Sequence, residues 1–283
     1  MTGAAGLPDL VVEPIVRAAL AEDLGLAGDI TSRACIPADA RLTAVFATRA
    51  SGVVAGLACA RLAVALLDPS ATFENVAADG DAAQAGAPLA RVEANARALL
   101  GAERVALNLL CRLCGIATLT AAFVAEVAGT GARIIDTRKT TPGLRALEKY
   151  AVRCGGGANH RFGLNDAILI KDNHGVACGG VARGVRRARQ SVGHMVKIEA
   201  EIDRLDQLED VLGERPDIIM LDNFSLADMR EAVRRAADRV VLEASGGVSL
   251  ATVRAIAETV VDLISVGALT HSAPILDIGL DAV

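Results

Sequence analysis

The second half of the sequence predicts an α/β fold in which parallel strands alternate with helices. From Ala132 onward, short apolar runs recur, and each is followed by a helix-like stretch. The runs are ARIIDT, AILIKD, MVKIEAE, DIIMLDN, VVLEAS and DLISVG. Near-continuous Val, Ile and Leu segments are typical of parallel strands that helices cover. Six such units favour either an α/β barrel or a doubly wound sheet.

Polar residues at the strand ends favour the barrel. Each run has one such residue at or near its carboxyl end: Asp136, Lys171, Glu201, Asp222, Glu243 and Ser265. In a barrel those ends converge on one mouth, where functional groups gather. A doubly wound sheet would concentrate them at one switch point instead. We therefore predict an incomplete α/β barrel with fewer than eight strands.

The N-terminal part of the chain predicts a mixed unit of helices and strands. Helical periodicity covers residues 10–22 and 57–67, and strand-like runs cover residues 42–49 and 71–76. Residues 80–94 contain two glycine turns and then a short strand, which indicates a small β-rich layer. We find no obvious chemistry in this region.

A long helix is predicted next, with Asn95 as its N-cap and its end near Val127. Arg104, Asn108 and Arg112 are spaced four apart in it and therefore share one face. The simplest interpretation of that face is a solvated stripe. A helix this long and apolar could also carry a subunit contact.

Composition and charge argue against nucleic acid and membranes as partners. The 283 residues have a formal net charge of −5, no Trp and one Tyr, so neither a polyanion-binding surface nor a base-stacking platform is expected. The apolar stretch 52–67 is broken by Arg61 and is too short to cross a bilayer. Asp9 and Glu13 interrupt the first apolar residues without a basic region before them, so no secretory signal is expected.

The cysteines indicate a reducing compartment. Of the six, only Cys111 and Cys114 have a suggestive spacing, and no second pair or histidine partner follows them. A zinc site needs four ligands, and a thioredoxin-type redox pair normally follows a strand. Because this pair lies inside the long helix, we predict ordinary buried thiols in a cytoplasmic protein.

Three separate loops are predicted to bring cations to the barrel mouth. They carry Arg138 and Lys139 in DTRKTTPG, His160 and Arg161 in GGGANHRFG, and Lys171 in LIKDNH. Any one of them could pair with a helix end, but the set indicates a ligand with several negative charges. Arginine matches carboxylates bidentately, whereas lysine acts as a point charge for phosphate.

Glu201, Asp222 and Glu243 end three consecutive strands, and clustered carboxylates are unfavourable unless they bind a cation or a proton. Magnesium prefers one or two carboxylates together with substrate phosphates and water. We therefore predict a magnesium–phosphate complex held by Glu201 and Asp222. For Glu199 and Glu243, simple pairing with nearby lysines and arginines stays open.

Two small-residue loops follow the last two strands: Ser245-Gly246-Gly247 and Gly267-Ala268. Glycine lets backbone amides approach an anion closely, and a following helix start adds a favourable dipole. A phosphate site after the late strands is common on barrels. The mouth is therefore suited to two anions, one rich in phosphate and one bearing carboxylates.

Several strings resemble those of quinolinate phosphoribosyltransferases: DTRKTTPGLRALEKYAV, GGGANHRFGLNDAILIKDNH, DIIMLDNF, LEASGGVSL and ISVGALTHS. The likeness covers nearly the whole chain. It implies transfer of phosphoribosyl from 5-phosphoribosyl 1-diphosphate to quinolinate with decarboxylation, which gives nicotinate mononucleotide in NAD synthesis. It also implies an N-terminal α/β sandwich (1–112) and an incomplete, six- to seven-stranded α/β barrel (113–269), with a tail (270–283) that can pack on the sandwich.

The resemblance also implies roles for individual residues in an enzyme that is at least a homodimer. Those implied to bind quinolinate are Arg138, His160, Arg161 and Lys171, joined by Arg104 of the neighbouring subunit. Those on the sugar-diphosphate and Mg²⁺ side are Lys139, Glu201 and Asp222, with the backbone of Ser245, Gly246, Gly247, Gly267, Ala268 and Leu269 at the phosphates. We interpret Lys171 as the group that positions the departing carboxylate or manages the carbanion that its loss leaves.

Three alternatives remain open. Molybdenum-transport-associated relatives share the fold but diverge in the second half of LNDAILIKDNH, which is intact here. Lys171 on a barrel strand could instead form a Schiff base, as in an aldolase. A non-catalytic sensor of quinolinate or of a phosphorylated sugar would keep the cations but could dispense with Glu201 and Asp222.

Overall fold

The computed structural model describes residues 6–283, and the chain forms two compact units. One contains the residues up to 121 together with 140–156 and 270–283, and the other contains 122–139 and 157–269. The domain boundary between residues 112 and 113 stays a prediction. The expected lack of a secretory signal depends partly on residues 1–5, which lie outside the described residues.

Helices and strands are mixed in the first part of the chain, as predicted. They are α1 (Asp9–Leu24), α2 (Ile30–Cys35), β1 (Arg41–Thr48), β2 (Gly52–Val53), α3 (Leu57–Ala65), β3 (Thr72–Asn75), β4 (Ala82–Ala83), β5 (Pro88–Asn95) and α4 (Ala96–Glu126).

Strands and helices alternate in the remainder. They are β6 (Arg133–Ile135), α5 (Arg145–Cys154), β7 (Ile168–Ile170), α6 (Asp172–Cys178), α7 (Val181–Ser191), β8 (Ile198–Ile202), α8 (Leu208–Gly213), β9 (Ile218–Asp222), α9 (Leu226–Ala236), β10 (Val241–Ser245), α10 (Val253–Ala257), β11 (Leu263–Ser265), α11 (Ala268–His271) and β12 (Ile278–Ala282).

The first unit is built on an antiparallel sheet with the strand order β12-β1-β5-β3. A short antiparallel pair, β2 and β4, accompanies it. Phe46 on β1 is fully buried, and its ring centroid lies 5.9 Å from that of Phe73 on β3. The last strand of the chain pairs along β1 from Ala44–Ala282 to Thr48–Ile278.

Helix α4 begins as predicted. The Asn95 side-chain oxygen accepts hydrogen bonds from the backbone N–H groups of Arg97 and Ala98, which confirms the N-cap. By length and hydropathy this helix could cross a membrane. However, 61% of its most apolar window is buried, as in the core helix of a soluble protein.

The stripe of Arg104, Asn108 and Arg112 is only partly solvated. Arg104 and Asn108 are exposed, but the half-buried Arg112 donates from Nε to the fully buried Glu148 at 2.8 Å. It also donates to the Thr270 carbonyl at 2.9 Å. The interpretation as a solvated stripe was therefore wrong for Arg112. Spacing along the helix could not indicate this, because the partner Glu148 is 36 residues away in the sequence.

The cysteines of α4 are buried thiols, as predicted. Cys114 accepts a hydrogen bond from the Ala55 backbone N–H, and its thiol lies 3.4 Å from the Ala55 carbonyl. Burial raises the pKa of Cys114 to about 12, which disfavours the reactive thiolate. All six cysteines are free.

The second unit contains the predicted parallel sheet. Within residues 122–269 six strands are hydrogen-bonded in the order β6-β11-β10-β9-β8-β7. Neighbours follow the chain order except that β6 joins β11, which is the arrangement of a barrel and not of a doubly wound sheet. A single parallel bridge between Ile135 and Ala158 extends the β6 edge, and no ladder joins β6 to β7 in the described chain. The incomplete barrel is confirmed.

Candidate active site in the barrel

The strand register brings the predicted polar residues to one face of the sheet. Glu201 on β8 is paired with Met220 on β9, and Met220 with Glu243 on β10. Two residues further along, Asp222 is paired with Ser245. Because side chains alternate along a strand with a period of two, these residues all face the barrel interior.

A cavity of about 620 Å³ lies at the carboxyl ends of these strands. Its lining consists of residues from the strands and from the loops that follow them: Thr137, Arg138, Lys139, His160, Arg161, Leu169, Lys171, Glu201, Met220, Asp222, Asn223, Glu243, Ser245, Gly246, Gly247 and Ser265. The three predicted cation-bearing loops therefore meet at one cavity.

Four predicted site residues are not part of this lining. Gly267, Ala268 and Leu269 follow β11 directly, at the same end of the sheet, but the described cavity does not include them. Arg104 belongs to the other unit, where its side chain is exposed.

Two arginines at the cavity are incompletely paired. The Nε atoms of Arg138 and Arg161 are buried and have no hydrogen-bond partner among the described residues. Within residues 6–283 the Arg161 side chain makes one hydrogen bond, from Nη1 to the Ala167 carbonyl at 3.1 Å. Burial and the neighbouring Arg138 guanidinium lower the pKa of Arg161. Two like charges with unsatisfied donors in one cavity indicate a site for an anion that can accept from both.

Lys171 and the acidic residues lie on the adjacent strands. Lys171 Nζ is 2.9 Å from Glu201 Oε2, and Asp222 Oδ2 accepts from Asn223 Nδ2 at 2.8 Å. Glu201 and Asp222 face the same cavity from neighbouring strands. Carboxylates are the protein ligands that Mg²⁺ takes alongside phosphate oxygens and water.

The Ser245–Gly247 loop requires glycine at its centre. Gly246 has φ of +95°, and a Cβ atom there would lie 2.1 Å from Asn223 Oδ1. Asn223 in turn donates its backbone N–H to the Ser245 carbonyl at 2.9 Å. The loops after β9 and β10 are therefore packed directly against each other. Ser245, Gly246 and Gly247 line the cavity, where the sequence predicts phosphate contacts.

His160 is held on both sides. Its backbone N–H donates to the fully buried Asp136 at 2.9 Å, and its Nδ1 accepts from the Arg161 backbone N–H at 2.7 Å. Its Nε2 lies 2.9 Å from Glu199 Oε2. The ring therefore lines the cavity without directing a free nitrogen into it, although the sequence grouped His160 with the cations.

Glu199 and Glu243 form a buried acidic pair, of which Glu243 lines the cavity. Neither makes an ion pair with a lysine or arginine among residues 6–283, so that alternative was wrong. His160 lies beside both carboxylates, with its Nε2 2.9 Å from Glu199 Oε2 and 3.8 Å from Glu243 Oε2. Burial, followed by the charge of Glu199, raises the pKa of Glu243 well above its ordinary value.

Glu243→Gln is expected to remove a pH dependence of stability. The folded chain holds a proton on Glu243 that the unfolded chain releases above its ordinary pKa of 4.5. The stabilisation is therefore complete below that pH and declines as the pH rises toward the folded pKa, by at most about 1.4 kcal/mol per pH unit. Urea unfolding at several pH values from about 5 to 8 should give a flatter profile for the variant.

The exposed Glu74→Gln is the matched control, and its profile should run parallel to that of the unaltered chain. A Glu243→Gln profile that also runs parallel would contradict a proton held on Glu243.

Sequence reasoning undervalued Glu199 although a signal was present. In the fully buried strand β8, Glu199 and Glu201 are two residues apart and must share the interior face. By the same alternation, Met220 lies two residues before Asp222 on β9 and faces the cavity with it. Ser265, at the end of the sixth strand, also lines the cavity. Asn223 had no such signal, because its position depends on a left-handed backbone with φ of +57°.

Comparison with known proteins gives family matches over most of the chain. The model of the quinolinate phosphoribosyl transferase N-terminal domain matches residues 29–114, and that of the C-terminal domain matches residues 116–281. These two matches cover both the antiparallel sheet and the barrel.

Individual proteins are similar over nearly their full length. The nicotinate-nucleotide pyrophosphorylase (carboxylating) of Mycobacterium leprae is 49% identical over 94% of this chain and 95% of its own. The probable nicotinate-nucleotide pyrophosphorylase (carboxylating) of Bacillus subtilis is 44% identical, over 92% and 89%. The solved structure of the nicotinate-nucleotide pyrophosphorylase from Francisella tularensis superimposes with a TM-score of 0.94 at 38% identity, over 100% of both chains.

Proposed function

This chain belongs to the quinolinate phosphoribosyltransferase family, and we propose that its barrel cavity is where quinolinate and 5-phosphoribosyl 1-diphosphate react. The chain is a pentosyltransferase of NAD biosynthesis. It transfers phosphoribosyl to quinolinate with decarboxylation, and the products are nicotinate mononucleotide, diphosphate and carbon dioxide.

The pair of incompletely paired arginines is the observation that supports this site most directly. Quinolinate carries two adjacent carboxylates, and Arg138 and Arg161 each offer unsatisfied donors at one cavity. A guanidinium fork binds a carboxylate bidentately and with defined orientation. Together with Lys171, these residues hold the ring so that its nitrogen faces the ribose C1, and such positioning has a large potential effect on rate.

The opposite wall of the cavity takes the sugar diphosphate. We assign Mg²⁺ as the cofactor, held by Glu201 and Asp222, where it would neutralise charge on the departing diphosphate. Lys139 contributes a further positive charge at the leaving group. The Ser245–Gly247 backbone, and that of Gly267 to Leu269, binds phosphate oxygens.

No residue is needed as a base for the first step, since the pyridine nitrogen is already a nucleophile. Once it carries ribose, the ring is cationic and the adjacent carboxylate leaves as carbon dioxide. The electron pair of that carbon–carbon bond stays on the ring carbon and is then protonated. Lys171 positions the departing carboxylate beside its partner Glu201.

We further propose a homodimer in which Arg104 completes the site of the neighbouring subunit. Arg104 is exposed on α4 and is available to a second chain. Oligomers with two-fold symmetry are the commonest kind, and they exchange such residues reciprocally. Free cysteines and a largely buried α4 support a cytoplasmic location for the enzyme.

Mixing two inactive variants tests the shared site. Arg104→Ala and Arg138→Ala homodimers should each be nearly inactive. After subunit exchange, about a quarter of the original activity should return, because half of the dimers are hybrids and each hybrid has one intact site. Activity measured before and after mixing gives the result, and mixing Arg138→Ala with itself is the control. If subunit exchange is demonstrated but activity does not return, Arg104 does not complete the site of the neighbouring subunit.

The reaction itself is tested with quinolinate, 5-phosphoribosyl 1-diphosphate and magnesium. Nicotinate mononucleotide and carbon dioxide should form, and EDTA should abolish their formation. A parallel reaction with nicotinate, which has one carboxylate, should give little product. Comparable product from nicotinate would contradict the two-carboxylate site, and no product from either substrate would favour the sensor or another substrate on the same fold.

A further inference from the structure

The imidazole of His160 links a buried carboxylate to the backbone of a substrate-binding arginine. Its Nδ1 accepts a hydrogen bond from the Arg161 N–H at 2.7 Å. In a neutral imidazole the proton must then be on Nε2, because only one ring nitrogen carries it. Nε2 lies 2.9 Å from Glu199 Oε2, within reach for donation to that carboxylate.

This arrangement depends on Glu199. The His160 side chain is 10% exposed and that of Glu199 is 5% exposed, so the contact between them is largely shielded from bulk solvent. Without the carboxylate Nε2–H loses its acceptor, only the Arg161 N–H still favours that tautomer, and the Nδ1–H form becomes more accessible. Nδ1–H and the Arg161 N–H would then be two donors facing each other, and the Arg161 backbone would have to shift.

The position of Arg161 has few other supports. Its backbone N–H bonds to His160 and its Nη1 bonds to the Ala167 carbonyl at 3.1 Å, while its Nε is unsatisfied. A change of imidazole tautomer therefore acts directly on the guanidinium that faces the cavity. Bidentate recognition is sensitive to such a displacement, because the fork must match both carboxylate oxygens.

We propose that Glu199 is a positioning residue for quinolinate, which acts through His160 to hold Arg161 in its binding position. The proposal builds on the proposed function, since quinolinate is the ligand concerned. Glu199 does not line the 620 Å³ cavity. It lines a smaller cavity of about 220 Å³ together with His160 and Arg161. Its effect is therefore confined to the carboxylate-binding side and does not extend to the sugar diphosphate.

Steady-state kinetics of five variants test this role. Glu199→Ala should raise the KM for quinolinate about tenfold, with the KM for 5-phosphoribosyl 1-diphosphate changed less than about twofold. Glu199→Gln should recover most of the affinity, because its amide oxygen still accepts from Nε2. The double variant Glu199→Ala/His160→Ala should be no worse than His160→Ala alone, since coupled residues are not additive. Ile219→Ala is the matched control, as this buried side chain on β9 faces away from the interior.

The contrary results are distinct. Effects of Glu199→Ala and His160→Ala that multiply in the double variant would show that Glu199 does not act through His160. Equal increases in both KM values, as in a general loss of structure, would also overturn the proposal. Ile219→Ala should lower the Tm without changing the KM for quinolinate, which separates stability from positioning.

A measurement without substrate separates this proposal from the proposed function. The ¹⁵N shifts of the imidazole, assigned by comparison with His160→Ala, report which nitrogen carries the proton. The Nε2–H tautomer is expected in the unaltered chain and in Glu199→Gln, and its loss is expected in Glu199→Ala. An unchanged tautomer in Glu199→Ala overturns the inference, whereas absence of turnover in the unaltered enzyme overturns the proposed function alone.

Discussion

Replacing Lys171 with alanine is expected to lower kcat by about 10²- to 10³-fold, the usual effect of removing one donor aimed at a charge in the transition state. The KM for 5-phosphoribosyl 1-diphosphate should change far less, because Lys171 acts on the carboxylate that departs from the ring. Rapid-quench measurement of carbon dioxide release against diphosphate release would show which step slows.

Lys197→Ala provides the matched control. Lys197 lies just before β8 and pairs with Asp217 at 2.8 Å, but its side chain is largely exposed and it does not line the cavity. Its removal should leave kcat unchanged. Near-normal turnover in Lys171→Ala would rule out the positioning role and would transfer that role to another cation at the cavity.

Arg161→Ala is expected to lower kcat/KM for quinolinate roughly 30-fold to several thousandfold. This corresponds to a loss of about 2–5 kcal/mol of binding free energy, the usual cost of removing one partner of a buried charge pair. Arg161→Lys should restore little, because a point charge cannot reproduce the fork. Titration calorimetry with quinolinate measures the loss directly, and binding of the sugar diphosphate should be retained.

The control for Arg161 is Arg186→Ala, which removes an exposed guanidinium paired with Glu214. Surface ion pairs contribute little, so this variant should bind quinolinate normally. A similar loss in both variants would mean that the effect of Arg161→Ala is not specific to the cavity.

The barrel could be predicted because its strands are local patterns. Each run of Val, Ile and Leu is long enough to identify a buried strand, and the polar residue that ends it marks the mouth. The pairing of β6 with β11 could not be predicted from any single apolar run. It joins Arg133 to Leu263, which are far apart in the sequence. It followed only from the general arrangement of such folds.

The candidate site was predicted as a set of residues but not as a set of contacts. The loops that carry Arg138, Arg161 and Lys171 meet as expected. The orientation of the His160 ring toward Glu199 could not be predicted, because it depends on a side-chain rotamer and not on position along the chain. The same is true of Arg112, whose carboxylate partner is in a different helix.

The order of strands has a consequence for how the protein is made. During synthesis β6 (Arg133–Ile135) emerges well before its ladder partner β11 (Leu263–Ser265). The antiparallel sheet likewise waits for β12 before the β1 edge is covered. Pairings this distant in sequence fold slowly, and until then two apolar strand edges are exposed to other chains. Removal of β12 (Ile278–Ala282) should therefore reduce the soluble yield of new protein, and co-expressed chaperones should restore part of it.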